Sequence, residues 1–360
     1  MIKLLIVDDS ALVRKLLGQV FAGEADFQVE FARDGQEGLE RVKTFRPDVV
    51  TLDVHMPQMD GLACLDRIMV EQPCPVVMVS SLTKEGAEAT LEALRLGAVD
   101  FVAKPTGAVS LHMEVWAPEL IATVRAASGA RIRPSLRLAE RIRLRTSATG
   151  ESLTRTGART ARETAARPAV GEGLVLVGTS TGGPPALESL LSPLSASFPW
   201  PILVAQHMPA SFTGPLAKRL NGVCALEVVE VVEPCALRPG AVYIGRGDGD
   251  LIVSRDKAGL VAQPAAPQPG YPWHPSTDRL VRSAMEHVPA ARLIGVLMTG
   301  MGYDGAAAMT LLHQRGGKTI AEAEETAVVW GMPGELVKAG GADWVAPLPR
   351  IALRLQTLTP

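Results

Sequence analysis

Residues 1–10, MIKLLIVDDS, carry a short apolar run straight into two aspartates, Asp8 and Asp9. An apolar run without alternation reads as a strand buried on both faces, the kind found in parallel sheets covered by helices. Outward from it the pattern repeats. Helical spacing runs through Ala11–Phe21, a strand follows near Gln28–Ala32 and a helix over Gln36–Thr44. DVVTLDVHMP (48–57) reads as another buried strand, ending at Asp53, and PVVMVSS (75–81) and DFVAKP (100–105) complete five. Glu114–Ala127 closes the unit as a helix that Pro118 either interrupts or starts. Strands alternating with helices predict a doubly wound α/β domain.

At 360 residues the chain exceeds one ordinary core, and its 47% hydrophobic content lets each of two halves bury a sizeable interior. The alternation lapses from about Ser128. Residues 131–168 are rich in Arg, Thr, Ala and Gly and poor in large apolar side chains, which reads as a flexible linker. Between Arg131 and Arg167 ten arginines face three glutamates, about +7, so the formal −2 of the whole chain leaves about −9 elsewhere. Within it LRLAERIRLR (136–145) has basic amphipathic spacing; a solvated connector is the plain reading and docking to an acidic partner the alternative. The expected division is 1–125, a linker over 126–169, and 170–357.

Near Leu174 the α/β alternation restarts. GLVLVGTS (173–180) is a strand into a glycine turn, a helix follows Pro184, and PILVAQHMP (201–209) and LEVVEVV (226–232) are further strands. AVYIGRGDGDLIVS (241–254) reads as a hairpin turning at GDG. RLIGVLMTG (292–300), KTIAEAE (318–324) and ADWVAPL (342–348) complete a second, Rossmann-like parallel sheet.

Several classes are excluded. Aromatics are 4% of the chain, too few for a stacking-driven nucleic-acid binder. Cys64, Cys74, Cys224 and Cys235 form no CxxC pair and no metal spacing, so reduced thiols of a cytosolic protein are expected. The apolar run of the first ten residues is too short for a signal peptide, and no window approaches the ~20 apolar residues of a membrane span. A soluble, cytoplasmic protein is expected.

The carboxyl ends of parallel strands share one edge, so Asp8, Asp9 and Asp53 converge there. Three adjacent negative charges are unfavourable without a cation among them, and hard oxygen ligands with room for water suit Mg²⁺. Lys104, after the fifth strand, reaches the same edge. The motifs LIVDDS, TLDVHMPQMDG, VMVSS and DFVAKP make residues 1 to about 125 resemble a response-regulator receiver domain, which implies a flavodoxin-like fold. The resemblance implies that Asp53 accepts a phosphoryl group and that Asp8, Asp9 and Asp53 hold Mg²⁺. It further implies that Ser80 and Phe101 form a switch pair and that Lys104 contacts the phosphoryl oxygens. His55 departs from the pattern, standing where Glu is frequent in relatives with this type of output domain.

In the second half LVLVGTSTGGPPAL puts Ser180 on a glycine turn before a helix. Alone, the motif divides evenly between a phosphate-binding loop and a nucleophile turn, although it lacks the GKS of a P-loop. The next strand tips the balance. His207 lies just past its end, 27 residues after Ser180, a distance that fits one strand–helix–strand crossover. A histidine beside such a serine is a candidate general base. The orienting carboxylate is expected from Asp304, in the glycine-rich loop after RLIGVLMTG, with Asp248, Asp250 and Asp278 as competitors. His55, His112, His274, His287 and His313 show no HxxxH or other metal spacing.

GTSTGG, QHMP, HPSTD, LMTGMGYDGA and VVWGMPGELVKAGGAD make residues from about 170 to 355 resemble the catalytic domain of protein-glutamate methylesterases of bacterial chemotaxis. That resemblance implies Ser180 as nucleophile, His207 as base, Asp304 as orienting acid and the backbone at Met301 in the oxyanion site, with no cofactor for the esterase reaction. It implies glutamine deamidation as well, methyl-accepting chemotaxis receptors as substrate and a chemotaxis histidine kinase as phosphodonor. Neither nucleic-acid binding nor membrane insertion is expected. The departures are Thr179 where Ala is common, Tyr303 where Asn is common, and Trp273 where His is frequent. The rival reading, a phosphorylation-gated module binding a nucleotide or anion, leaves His207 and Asp304 without a joint role.

Overall fold

A computed structural model describes residues 1–104, 113–132 and 173–360. Most of the expected linker, with its basic amphipathic stretch, and His112 lie outside these described residues.

The first sheet is built from β1 (Ile2–Val7), β2 (Phe27–Ala32), β3 (Val49–Asp53), β4 (Val76–Ser80) and β5 (Asp100–Ala103), all parallel in the order β2-β1-β3-β4-β5. Every residue of β3 and β4 is buried, which is why VVTLD and VVMVS run apolar without alternation, whereas the edge strand β2 is buried only at Ala32. The intervening helices start where a short polar side chain closes the first turn. Ser10, Asp34, Asp60 and Thr83 each accept a backbone N–H three residues on, worth about 1 kcal/mol apiece. The last helix runs Met113–Ser128 with Pro118 inside it, past the boundary expected at 125.

The second sheet has seven parallel strands in the order β15-β14-β13-β6-β7-β10-β8. They are β6 (Leu174–Thr179), β7 (Ile202–Gln206), β8 (Glu227–Val231), β10 (Ala241–Gly245), β13 (Leu293–Leu297), β14 (Lys318–Glu322) and β15 (Trp344–Ala346). The chain winds outward from β6 through β7 to β8 and β10, then returns to place β13 on the other side of β6. The point where winding reverses lies between β6 and β13, and crevices at such points collect functional residues.

The expected hairpin over 241–254 does not form. β10 pairs in parallel with β7 and β8, while β11 (Asp250–Asp256) belongs to a separate antiparallel sheet with β12 (Gly259–Ala265) and β9 (Cys235–Ala236). The hairpin is β11–β12, one step later in the chain. The GRGDG stretch is a crossing between sheets pressed against the loop after β7. A Cβ on Gly247 would lie 1.9 Å from Met208 O, so a larger residue is excluded by approach and not by turn geometry.

The two halves touch. The Lys84–Leu96 helix of the first lies against the Gly183–Leu191 and Ala210–Val223 helices of the second. Leu91, Leu216 and Leu220 are buried, and Arg219 bridges Glu92 at 3.3 Å and Glu188 at 3.7 Å. Phe101 of β5 packs on Phe212, ring centroids 4.3 Å apart.

Candidate functional site

At the carboxyl edge of the first sheet, the paired strands β1 and β3 deliver Asp8 and Asp53 to one place. Asp8, Asp9 and Asp53 each offer an oxygen within 4.8 Å of the others. Lys104 Nζ lies 3.0 Å from Asp8 Oδ2 and 2.9 Å from Asp53 Oδ2. Burial pushes the Asp8 carboxyl up, Lys104 pulls it down and the Asp53 charge pushes it up again. One lysine leaves the pocket net negative, and the hard oxygen set with Asp9 open to solvent fits Mg²⁺. Ser80 is buried behind the pocket, 3.2 Å from Gly86 O, and His55 is exposed.

At the carboxyl edge of the second sheet, Ser180, His207 and Asp304 follow β6, β7 and β13. Parallel ladder bonds continue past the strand ends: His207 N–H donates to Thr179 O and Ser180 N–H to Thr299 O, each at 3.0 Å. The turn after β6 and the segments after β7 and β13 are therefore held side by side. His207 Nε2 and Asp304 Oδ2 are 2.8 Å apart, both side chains largely buried. His207 Nδ1 is buried without a hydrogen-bond partner among the described residues.

Asp304 sits at the amino end of the Thr277–His287 helix. It accepts Thr277 N–H (2.6 Å), Asp278 N–H (3.1 Å) and the Ser276 hydroxyl (2.9 Å). Burial alone would push its carboxyl up; the His207 hydrogen bond and charge and the two helix-end amides outweigh that and hold it below the ordinary range. The acid stays ionised while most of its surface is out of water.

The competing aspartates have other partners. Asp250 is buried under His274 Nδ1 (2.9 Å), Arg279 (2.6 Å) and Ser276 N–H (2.7 Å), and so anchors the strap that carries Ser276 to Asp304. Asp278 accepts Ala308 N–H at 2.7 Å, and Asp248 pairs with Arg246 on the surface. Met301 lies between Gly300 and Gly302, the latter at φ 82°, in the loop that also holds Asp304. A Cβ on Gly300 would lie 2.8 Å from Ser180 Cβ, which measures how closely this loop approaches the serine.

Residues 175–355 match the family described as CheB methylesterase, and residues 4–115 match the response regulator receiver domain. The chain belongs to the CheB methylesterase family. It is 58% identical over 353 residues to "Protein-glutamate methylesterase/protein-glutamine glutaminase 2" of Rhodopseudomonas palustris (strain BisB18), covering 98% of this chain and 96% of that one. It is 50% identical to "Protein-glutamate methylesterase/protein-glutamine glutaminase 3" of Rhodospirillum rubrum, covering 99% and 95%. The crystal structure of the Thermotoga maritima CheB methylesterase catalytic domain matches with TM-score 0.50 at 36% identity, over 52% of this chain and 98% of that one.

Within this CheB-family chain the aromatic departures meet at the site. Trp273 lies parallel to the His207 ring, centroids 6.0 Å apart, and Tyr303 meets Trp273 edge-on at 4.8 Å. With Tyr271 and Arg282 they line a cavity of about 430 Å³ beside Asp304. Three supporting residues escaped the reading of the sequence: Gln206, Ser276 and Thr299. All three stand inside motifs of the sequence analysis, QHMP, HPSTD and LMTGMGYDGA, but only as neighbours of the expected residues. Thr299 carries the carbonyl that binds Ser180 N–H, and its own N–H is bound by Glu322 at 2.8 Å.

The first half reaches this rim directly. Asp100, at the start of β5, accepts a hydrogen bond from the hydroxyl of Thr181, the residue after Ser180. Burial pushes the Asp100 carboxyl up to about 6, against the pull of Thr181 and the Phe101 N–H. Among the described residues no helix is long and apolar enough to cross a membrane.

Proposed function

We propose that this chain hydrolyses γ-glutamyl methyl esters, and releases ammonia from glutamine side chains, on methyl-accepting chemotaxis receptors in the cytoplasm, giving sensory adaptation. Its parts are a receiver that closes with the Met113–Ser128 helix, a little past the expected 125, then a linker up to 169 and a catalytic domain over 170–357. The observation that supports this most is the 2.8 Å His207–Asp304 hydrogen bond beside the strand end that carries Ser180. The names of relatives 50% and 58% identical over nearly the whole chain, protein-glutamate methylesterase/protein-glutamine glutaminase, support glutamyl esters and glutamines of a protein as the substrate class.

In this reading Ser180 Oγ attacks the ester carbonyl carbon while His207 Nδ1 takes its proton. Asp304 on Nε2 stabilises the imidazolium that forms. The oxyanion is held by backbone N–H groups including that of Met301. His207 returns the proton to the departing methoxy oxygen, which leaves as methanol, a poor leaving group unaided. Water then attacks the acyl-enzyme with the same proton shuttle, freeing the receptor's glutamate side-chain carboxylate and restoring Ser180. With an amide in place of the ester, ammonia is the leaving group.

Asp53 accepts the phosphoryl group from a chemotaxis histidine kinase. Asp8, Asp9 and Asp53 would hold Mg²⁺, which would supply charge neutralisation there, and Lys104 would contact the phosphoryl oxygens. The contacts of Asp100 with Thr181 and of Phe101 with Phe212 support a receiver that covers the catalytic rim until phosphorylation, through Ser80 and Phe101, loosens it. The test is methanol release from methylated receptor membranes. Ser180→Ala is expected to lower it by ~10⁴-fold or more in a folded protein; retained release removes Ser180 from the chemistry.

A further inference from the structure

Gln206 is the last residue of β7 and only 1% exposed. Its amide touches no reacting atom, yet it joins both sides of the rim. The Thr179 hydroxyl donates to Oε1 at 2.6 Å, and Nε2 donates to Ser180 O and to His207 O, each at 3.0 Å. The orientation of the amide follows from its partners, because only the nitrogen can donate to two carbonyls. Ser180 O also accepts Gly183 N–H at 2.7 Å. The peptide plane after the serine cannot rotate without stranding two buried donors, a costly loss.

The last glycine of GTSTGG makes room for this amide. A Cβ on Gly183 would lie 1.8 Å from Gln206 Oε1, and its φ is not in the left-handed region, so close approach and not conformation excludes a side chain. Thr179 supplies the donor that completes the amide's partners. Beyond the ladder bond from His207 N–H to Thr179 O, this side chain ties the nucleophile's peptide to the base's peptide.

We propose that Gln206, braced by Thr179, is a positioning residue that sets the distance between the Ser180 turn and the His207 turn. The proposal rests on the reading that Ser180 and His207 act together. Misplacing reacting groups by about 1 Å costs on the order of 100-fold in rate. Gln206→Glu keeps the shape and turns an oxygen toward both carbonyls. The expected result is a kcat about 100-fold lower with KM within about twofold, and a parallel fall in the rate at which a fluorophosphonate labels Ser180. Thr179→Val removes the brace alone and is expected to cost about 3- to 10-fold, restored by Thr179→Ser. Wild-type kcat per labelled site in Gln206→Glu, even with lowered stability, overturns the proposal. Should Gln206→Glu not fold, undiminished labelling in Thr179→Val does so. A wild-type chain that labels at Ser180 but releases no methanol overturns the substrate instead, and the variants' labelling rates still decide the role of Gln206.

Discussion

The two halves of this chain place their chemistry at the same address, the carboxyl edge of a parallel sheet, and handle charge there in opposite ways. The Asp8–Asp9–Asp53 pocket gathers three carboxylates around a single lysine and stays net negative, open to solvent at Asp9. The Ser180–His207–Asp304 rim sets one carboxylate, Asp304, against the histidine and surrounds it with Thr277 N–H, Asp278 N–H and the Ser276 hydroxyl. A cluster of anions that its lysine does not neutralise favours a cation among them; a fully hydrogen-bonded anion is a fixed internal charge. Topology supplies the meeting place, and the count of donors around each carboxylate decides what chemistry follows.

The sharpest way to break this contrast is to remove the fixed charge. Asp304→Asn keeps the shape but leaves His207 without its counter-charge, and kcat for methanol release is expected to fall by ~10³- to 10⁴-fold. The substitution also bears on stability. The Asp304 carboxyl lies below its ordinary 3.8 in the folded chain, so its ionisation favours folding. That contribution is complete above about pH 4 and disappears as pH falls through the lower folded-state value. Urea unfolding at pH 3 and pH 6 should therefore give a smaller pH difference in the variant; an unchanged difference refutes the account of how Asp304 is held.

Asp53→Asn perturbs the other pocket. It is expected to hold esterase activity at its basal level when a small-molecule phosphodonor is added, where the unaltered chain rises about tenfold or more. Full stimulation of the variant would disconnect the two rims.

The smallest expected effect lies where they meet. Asp100 titrates near 6 against Thr181 and toward its ordinary 3.8 when released into water, with Glu119 the nearby charge that raises it further. A carboxyl raised in the closed arrangement favours closure at low pH, and that preference is lost as pH rises through about 6. The ratio of basal activity in Asp100→Ala to that of the unaltered chain should grow a few-fold, at most about tenfold, from pH 7 to pH 5. A flat ratio would show that this contact does not govern access to Ser180.

Much of this was legible locally. Buried-strand runs, the helical spacing between them, and aspartates or glycines at strand ends follow from short-range periodicity and chain-end chemistry, and they determine two α/β sheets and which residues approach each edge. Long-range order was decided only by tertiary structure. It moved the hairpin from 241–254 to β11–β12 and left Asp250 and Asp278 as supports while Asp304 took His207. It also gathered Thr179, Ser180 and His207 around Gln206 and brought Asp100 onto Thr181. The reason is physical: a periodicity records which face a side chain presents, whereas a hydrogen-bond partner depends on strand order and on approaches of a few ångströms between segments far apart in the chain.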